Sequence, residues 1–528
     1  MGRYALRMTA QITVAAAEPL PDFQTLPDLI AAHARARPQS TALVCGDQRM
    51  SYAQLDAEMD RVAATLQRDG VKPREAIAIC AYANNAYLVL FMGALRAGIA
   101  VAPLAPSSTP AQIAGMTADA GARHLFLDAA NAQAVPAALT GAQVQRIRLD
   151  ESDGDTRWSS WLASPGSRGQ AVAIDPAWPF NIIYSSGTTG TPKGIVQPHS
   201  MRWSQVRRAE AGGYGPDGVT LIATPLYSNT TLVVVIPTLA RGGAVVLQPK
   251  FDCAQYLELA EKHRATHTML VPVQYQRLMA WPGFDRHDLS SFRFKACTSA
   301  PFRAELKAEV LRRWPGGLTE YYGMTEGGGS TILYCHLHPN KLHTVGQPAE
   351  GHDIRLIDED GHELPNGADV VGEVVGRSSS MMLGYHNQTA KSREAEWFDA
   401  QGRRFIRTGD VGRFDEDGFL VLMDRRKDMI ISGGFNIYPS DLEAELRQHP
   451  AVADVAVVGV ASEQWGETPV AFVVRRTGRD DAADAIQHWL NDRVGKTQRL
   501  ADLKLLDELP RSAIGKVLKR ELRDNYRA

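Results

Sequence analysis

Short apolar runs alternate with helical or glycine- and proline-rich stretches over the first 340 residues or so. The runs have the length of buried strands and lie at residues 76–80, 180–184, 219–223, 244–247 and 268–271. Ser51 and Gln54 have the spacing of a capping box and precede apolar residues at helical intervals, which predicts a helix that stops near Gly70. This alternation of strands and helices is typical of an α/β domain.

The pattern changes twice further along the chain. Residues 351–422 contain short strands separated by turn signals such as Glu359-Asp360-Gly361, which predicts a β-rich subdomain. After the charged stretch 424–428, helices at 440–448 and 482–494 and strands at 452–460 and 470–474 predict a small α+β domain. We therefore expect a flexible lead-in at 1–24, an N-terminal domain at 25–426 with the β-rich part at about 345–424, and a C-terminal domain at 427–528.

Composition narrows the class of protein. With 528 residues and 44% hydrophobic content, the chain is too long for one small core. The charges of its 57 basic and 59 acidic residues nearly cancel, which excludes an overall positive electrostatic field that would bind nucleic acid or an anionic membrane. The five cysteines are scattered and never have metal-ligand spacing, which predicts a reducing cytoplasm. The longest apolar run, 86–95, is too short to cross a bilayer.

A loop rich in glycine and hydroxyl groups directly follows the apolar run 180–184. Residues 184–194 combine three glycines, five Ser or Thr hydroxyls and Lys193. Glycines let backbone N–H groups approach a phosphate, hydroxyls donate further hydrogen bonds, and the lysine adds positive charge. The loop is not a Walker A motif, because Pro192 and Gly194 stand where that motif needs Gly and Ser or Thr. A flexible linker is the alternative, although linkers seldom start from a buried strand.

This loop resembles the signature loop of the adenylate-forming superfamily, which includes acyl-CoA synthetases, adenylation domains and luciferases. Further segments resemble motifs of that superfamily in the same order, from about residue 30 to 520: 298–301, 322–326, 345–348, 408–410, 430–439 and 510–517. The resemblance implies a large N-terminal domain of α/β sheets with a β-rich part. It also implies a small, mobile C-terminal α+β domain and an active site between the two.

The resemblance implies which residues bind the nucleotide and CoA. These residues are Ser185, Ser186, Gly187, Thr188, Thr189, Gly190, Lys193, Ser299, Ala300, Pro301, Tyr322, Gly323, Thr325, Asp410, Arg425, Gly433 and Gly434. Within the set, the Tyr322 ring packs on adenine, Thr325 contacts phosphate and Asp410 accepts the ribose hydroxyls. Gly433 and Gly434 leave room for the thin pantetheine arm of CoA.

Catalytic roles are implied for Lys516, Thr188, Glu326 and Lys193. In the resemblance, Glu326 is the metal ligand that holds Mg²⁺, and Lys516 contacts the α-phosphate and the substrate carboxylate. Lys427 falls at the interdomain hinge. Tyr227, Ser228 and Val233 are expected at the acid pocket. Relatives often carry a histidine gate where this chain has Ser228, so the chemistry of the gate stays open.

The sequence therefore predicts an AMP-forming acyl-CoA synthetase that uses ATP, Mg²⁺ and coenzyme A. A hydrophobic acid, fatty or aromatic, is expected, because residues 232–236 are apolar and 221–250 contain no carboxylate to pair with an amino acid's ammonium. A stand-alone enzyme that loads a carrier protein is the alternative. A nucleotide-binding protein without catalysis is disfavoured, because the implied catalytic residues are present. The expected partners are small molecules, with no nucleic acid and no membrane span, and a homodimer stays open.

Overall fold

The computed structural model describes residues 21–185, 192–367, 369–425, 428–432, 435–463, 465–495, 498–512 and 515–526. In this part of the chain the α-helices are Leu26–Ala36 (α1), Tyr52–Arg68 (α2), Asn85–Arg96 (α3), Pro110–Asp119 (α4), Ala129–Ala134 (α5), Ala137–Thr140 (α6), Trp158–Trp161 (α7), His199–Arg208 (α8), Asn229–Ala240 (α9), Cys253–Lys262 (α10), Pro272–Met279 (α11), Ala304–Arg313 (α12), Thr389–Glu394 (α13), Pro439–Leu446 (α14), Ala483–Asn491 (α15) and Lys519–Asp524 (α16).

The strands of the same residues are Thr41–Cys45 (β1), Gln48–Ser51 (β2), Ala76–Cys80 (β3), Ala100–Pro103 (β4), His124–Leu127 (β5), Gln145–Arg148 (β6), Thr156–Arg157 (β7), Pro179–Ser185 (β8), Lys193–Pro198 (β9), Val219–Ile222 (β10), Ala244–Leu247 (β11), His267–Leu270 (β12), Phe294–Cys297 (β13), Gly317–Gly323 (β14), Ser330–Tyr334 (β15), Gln347–Pro348 (β16), Asp353–Ile357 (β17), Glu363–Leu364 (β18), Gly372–Arg377 (β19), Gly384–Tyr385 (β20), Glu396–Phe398 (β21), Arg404–Phe414 (β22), Leu420–Arg425 (β23), Ile430–Ser432 (β24), Phe435–Ile437 (β25), Val452–Ser462 (β26), Gly466–Arg475 (β27) and Asp502–Leu506 (β28).

Two large sheets with parallel centres form the N-terminal part. One has nine strands in the order β16-β15-β14-β13-β12-β10-β11-β1-β2, and the other has eight in the order β20-β9-β8-β4-β3-β5-β6-β7. In the nine-stranded sheet, β10 runs parallel to β11 and β12, and β13 runs parallel to β12 and β14. The carboxyl ends of these strands therefore lie at one edge of the sheet. In open α/β sheets, ligands bind at this kind of edge.

Two smaller sheets follow along the chain. Strand β18 begins a sheet in the order β18-β17-β19-β22-β21, with β23 on β22, and a five-stranded sheet follows in the order β25-β24-β27-β26, with β28 on β27. The predicted fold class, α/β sheets with a β-rich part and a small α+β unit, is confirmed. Strands β16 and β20 pair in the two large sheets, however, so the β-rich segment does not form a closed unit. The predicted domain limits stay a prediction.

The principal core packs helices α1, α2, α3 and α9 against the large sheets. Apolar residues of α3 are buried around its whole circumference, as expected for a helix enclosed by other layers. The predicted capping box is confirmed, because the Ser51 hydroxyl accepts from the Gln54 N–H and the Gln54 side chain accepts from the Ser51 N–H. No helix of the described residues has the length and hydropathy needed to cross a membrane.

The last residues of the predicted lead-in contact the folded part of the chain. Residues 1–20 lie outside the described part, whereas the Trp203 indole N–H donates to the Asp22 carbonyl at 2.7 Å. The ring of Phe23 packs edge-on against Trp203, with 6.1 Å between the ring centroids. A buried indole recruits a hydrogen-bond acceptor and an apolar neighbour, which orders this stretch before α1 begins.

A buried ion pair joins α12 to β14 behind the edge that carries the predicted motifs. Lys307 and Glu320 are 1% and 4% exposed, and the Lys307 ammonium contacts the Glu320 carboxylate. The ammonium also donates to the carbonyls of Leu342 at 2.7 Å and Thr344 at 3.1 Å. Burial raises the pKa of Glu320 to about 7, although Lys307 opposes the shift. Removing the lysine would leave an unpaired carboxyl group in the core.

We predict that Lys307→Met lowers the free energy of unfolding by about 3–5 kcal/mol, the usual cost of breaking a buried pair from one side. Urea unfolding followed by tryptophan fluorescence measures the loss. The two ion pairs that Lys341 forms with Asp415 and Asp417 supply a control, since they lie nearer the surface and Lys341→Met should cost much less stability. Equal losses in the two variants would contradict the prediction.

The same variant should respond to pH. A carboxyl group whose pKa is raised in the native state keeps a proton that the unfolded chain has already released, so stability falls as pH rises above the ordinary pKa of glutamate. In Lys307→Met, Glu320 lacks the cation that opposes this shift, so the fall should continue to higher pH than in the wild type.

Candidate active site

The carboxyl ends of four parallel strands bring the predicted motifs together. β10 leads to Tyr227 and Ser228, β12 to the start of α11, β13 to the loop 298–301, and β14 ends in the second motif. In the other large sheet, β8 ends at Ser185 and its hairpin partner β9 begins at Lys193. Hydrogen bonds from β9 and the segment paired with it to residues 325 and 326 bring the two sets of candidate residues together.

The predicted adenine and ribose residues are in direct contact. The Tyr322 hydroxyl at the end of β14 donates to Asp410 Oδ2 on β22 at 2.9 Å, and both residues are half-buried. A carboxylate accepts about four hydrogen bonds, so this bond is compatible with ribose hydroxyls as additional donors. The sequence prediction placed these two residues in one nucleotide site although 88 positions separate them.

Tyr385 of β20 links the candidate metal ligand to the signature lysine. Its hydroxyl donates to Glu326 Oε1 at 2.8 Å, and the Lys193 ammonium lies 4.9 Å from the centroid of its ring. Burial and the adjacent Glu326 carboxylate raise the pKa of Tyr385, which keeps the hydroxyl a donor. The backbone N–H of Met382 fixes the same segment by donating to the Glu326 carbonyl at 2.8 Å. A carboxylate beside an ammonium suits a magnesium-bound phosphate.

The loop after β13 carries backbone strain at a predicted site residue. Ser299 has φ +82°, in the left-handed region that glycine usually occupies. Its hydroxyl lies 2.6 Å from the Thr230 hydroxyl on α9, a contact that stabilises the conformation. Strain of this kind costs about 1–3 kcal/mol and is frequent at functional sites. Ala300 and Pro301 continue the loop as half-buried and exposed residues.

The predicted acid-pocket residues lie at the start of α9. Ser228 is the N-cap of the helix, with its hydroxyl accepting from the Thr230 N–H at 3.3 Å. Tyr227 is half-buried, and burial raises the pKa of its hydroxyl. Val233 is partly buried, whereas the other members of the apolar run 232–236 are buried in the main core. Only Val233 of that run is partly exposed, and its place at the acid pocket stays a prediction.

The hairpin that carries Lys516 packs on the N-terminal part of the chain. Gly515 has φ +77°, and a Cβ built on it would lie 2.5 Å from Val273 Cγ1 at the start of α11. The Ser512 N–H donates to the Lys516 carbonyl and the Gly515 N–H to the Ser512 carbonyl, both at 2.8 Å. Because α11 follows β12, the loop reaches the same sheet edge as the other motifs.

Several predicted site residues lie outside the described part of the chain. These are Ser186, Gly187, Thr188, Thr189 and Gly190 of the signature loop, the hinge residue Lys427, and Gly433 and Gly434. Arg425 is the last residue of β23, and its side chain also lies outside the described part. The roles implied for them stay predictions.

Comparison with known proteins identifies the family. The profile of the family described as "AMP-binding enzyme" matches residues 30–386, and that of the "AMP-binding enzyme C-terminal domain" matches residues 441–516. The chain belongs to the AMP-binding enzyme family. It is therefore an ATP-dependent ligase that forms AMP, and the predicted cofactors ATP, Mg²⁺ and CoA are confirmed.

Two relatives are named as enzymes that form CoA thioesters. The chain is 33% identical over 501 residues to a feruloyl-CoA synthase of an Amycolatopsis species, covering 93% of this chain and 97% of the relative. It is 33% identical over 518 residues to the indoleacetate–CoA ligase of Aromatoleum aromaticum, covering 94% and 97%. The crystal structure of ATP-bound MatB from Rhodopseudomonas palustris superposes with a TM-score of 0.84 at 29% identity, covering 95% of this chain and 99% of that one.

Tyr385 is a site residue that sequence reasoning missed in this AMP-binding enzyme. It lies in the β-rich segment, 59 residues after its partner Glu326, and the short strand β20 brings it back to β9. The dipeptide Gly384-Tyr385 in a turn-rich stretch is the only local signal, and it does not specify the pairing with Ile195.

We predict that Tyr385→Phe raises the Mg²⁺ concentration needed for half-maximal adenylation by about 10-fold, as expected when a ligand loses the hydrogen bond that orients it. The ring, and with it the contact to Lys193, is retained. Pyrophosphate exchange at varied Mg²⁺ measures the effect. Tyr334→Phe, which removes an exposed hydroxyl from β15, is the matched control. An unchanged Mg²⁺ dependence in Tyr385→Phe would contradict the positioning role.

Proposed function

We propose that this AMP-binding enzyme activates an aryl-substituted carboxylic acid with ATP and transfers the acyl group to CoA. The observation that carries the proposal is the contact of Tyr385 with both Glu326 and Lys193. Through this contact Glu326 would offer a carboxylate to Mg²⁺ and Lys193 an ammonium to phosphate, while the Tyr322–Asp410 contact would serve adenine and ribose. Recognition of Mg²⁺-bound ATP requires these groups together.

Each residue would act on a different part of ATP during the first half-reaction. Tyr322 would pack on adenine and Asp410 would accept the ribose hydroxyls, while Lys193 would contact the phosphates. Glu326 would hold Mg²⁺, which when bound neutralises phosphate charge. Lys516 would place its ammonium near the α-phosphate as the substrate carboxylate attacks that phosphorus and pyrophosphate leaves. Fixed positive charge at these oxygens stabilises the charge that develops during transfer.

The aryl class of acid is favoured by the relatives. Both compared ligases act on acids with an aromatic ring, ferulate and indoleacetate. Val233 provides an apolar contact at the start of α9, and the segment 221–250 offers no carboxylate for a substrate ammonium. A ring with a short acidic arm fits this lining better than an amino acid does.

The second half-reaction would use the thiol of CoA. Gly433 and Gly434, the residues implied in its tunnel, lie outside the described part, so this step is supported by the family and its relatives. A carrier protein uses the same pantetheine thiol and is the alternative acceptor. The two acceptors share the thiol and differ in what carries it, a nucleotide in CoA and a protein in the carrier.

A substrate panel tests the proposed function. Pyrophosphate release is measured with Mg²⁺ and ATP for phenylpropenoic, arylacetic and fatty acids and for amino acids, each with CoA or with a carrier protein. We predict the highest kcat/KM for an aryl acid with CoA as the acceptor. Turnover of amino acids alone, or of aryl acids only with the carrier protein, would contradict the proposal.

A further inference from the structure

A fully buried guanidinium lies at the base of the β8–β9 hairpin. Arg202 of α8 is 2% exposed, and its N–H groups donate to the side-chain amide oxygens of Asn181, Gln197, Gln205 and Asn229. Its Nε and Nη2 lie 3.1 and 3.0 Å from Asn181 Oδ1, and its Nη1 lies 2.9 Å from Asn229 Oδ1. Every partner in this network is neutral.

The positive charge of Arg202 has no carboxylate partner among the described residues. Its remaining neighbour is the Phe180 ring, whose centroid lies 5.7 Å from the guanidinium carbon and offers a weak cation–π contact. Burial lowers the pKa of Arg202 to about 9, which still leaves it charged at neutral pH. A buried charge without a counter-ion is strongly unfavourable, and here only neutral amide oxygens compensate it.

The network extends from Arg202 to three segments of the active site. Gln197 Nε2 donates to the Thr325 carbonyl at 2.6 Å, next to the candidate metal ligand. Asn229 is the first residue of α9, directly after Ser228. Asn181 Nδ2 donates to Gln197 Oε1 at 2.9 Å across the hairpin whose other end carries the signature loop. One cation thus fixes the hairpin, the start of α9 and the second motif relative to one another.

We propose that Arg202 is a positioning residue for adenylation and that the bound anionic substrates supply its counter-charge. The reaction must bring a carboxylate and a triphosphate together, and the two anions repel each other. A fixed cation in a low-dielectric region favours their joint binding without reorganising during the reaction. The amides that it orients hold the Thr325 segment and the start of α9 in place. The inference needs only the ATP-dependent step and not the identity of the acid.

Thermal unfolding with and without Mg²⁺-ATP, together with pyrophosphate exchange, tests the proposal. Arg202→Gln removes the charge, so the stabilisation by Mg²⁺-ATP should shrink and the KM for ATP should rise by about 10-fold. Arg202→Lys keeps the charge but loses the planar set of donors. Its KM for ATP should therefore stay near the wild-type value while its exchange rate falls by about 10- to 100-fold.

Lys295→Met supplies a control with a purely structural cation. Lys295 is buried on β13, and its ammonium donates to the carbonyls of Trp314, Pro315 and Gly316 at the end of α12. This variant should lose thermal stability but keep the wild-type shift with Mg²⁺-ATP. A wild-type shift and KM in Arg202→Gln, or an equal loss of both in Lys295→Met, would overturn the proposal.

Two further features keep the test decisive. Should Arg202→Gln fail to fold, Arg202→Lys carries the test, because a wild-type exchange rate in that variant overturns the positioning role. The shift in thermal unfolding with Mg²⁺-ATP requires no acid, so it can be measured even if aryl acids prove not to be substrates. A failure of the proposed substrate is therefore distinguishable from a failure of the role proposed for Arg202.

Discussion

Three hydrogen bonds that cross between the two large sheets hold the candidate active site in one geometry. The Gln197 side chain donates to the Thr325 carbonyl at 2.6 Å, the Met382 N–H to the Glu326 carbonyl at 2.8 Å, and the Tyr385 hydroxyl to Glu326 Oε1 at 2.8 Å. Each bond runs from β9, or from the segment paired with it, to the stretch that follows β14. The strand that begins with the signature lysine therefore keeps a fixed distance from the carboxylate segment. Such preorganisation is what phosphoryl chemistry requires, since catalysis there is mostly positioning and charge stabilisation.

The C-terminal part of the chain completes this geometry through a contact that only glycine permits. At Gly515 the backbone has φ +77° and lies so close to Val273 that a Cβ would overlap the valine side chain. The next residue is Lys516, so the close approach determines how near its ammonium comes to the sheet edge. In the described arrangement this hairpin faces the N-terminal part, as adenylation requires if Lys516 acts on the α-phosphate.

Local patterns in the sequence predict much of the fold. The run 76–80 becomes β3 and 244–247 becomes β11 with the same limits, and Ser51 caps α2. Short-range hydrogen bonds and apolar residues that repeat with the period of a helix or strand determine these elements, so they can be predicted from neighbouring residues alone. The predicted strands at 452–460 and 470–474 are likewise present as β26 and β27, each somewhat longer than predicted. The candidate site was located from motifs whose residues the fold then brought together, as with Tyr322 and Asp410.

The remaining features depend on contacts between distant segments. Tyr385 reaches Glu326 only because β20 pairs with β9, and Arg202 acquires its role from amides on β8, β9 and α9. Within the apolar run 232–236 only Val233 is partly exposed, because a helix turns about 100° per residue and consecutive residues face different neighbours. Composition alone does not reveal which side of a helix a core will cover.

The proposed geometry for adenylation depends most on the docking of the Gly515 hairpin against Val273. Pyrophosphate exchange and thioester formation from pre-made acyl-adenylate are measured for Gly515→Ala, Val273→Ala and the double variant. We expect Gly515→Ala to lower the rate of pyrophosphate exchange by about 10-fold or more, since a small misplacement of Lys516 near the reacting groups is costly. Thioester formation should change much less, and Val273→Ala should restore part of the exchange in the double variant by making room for the new Cβ. Equal losses in both half-reactions would contradict this role of the docked hairpin.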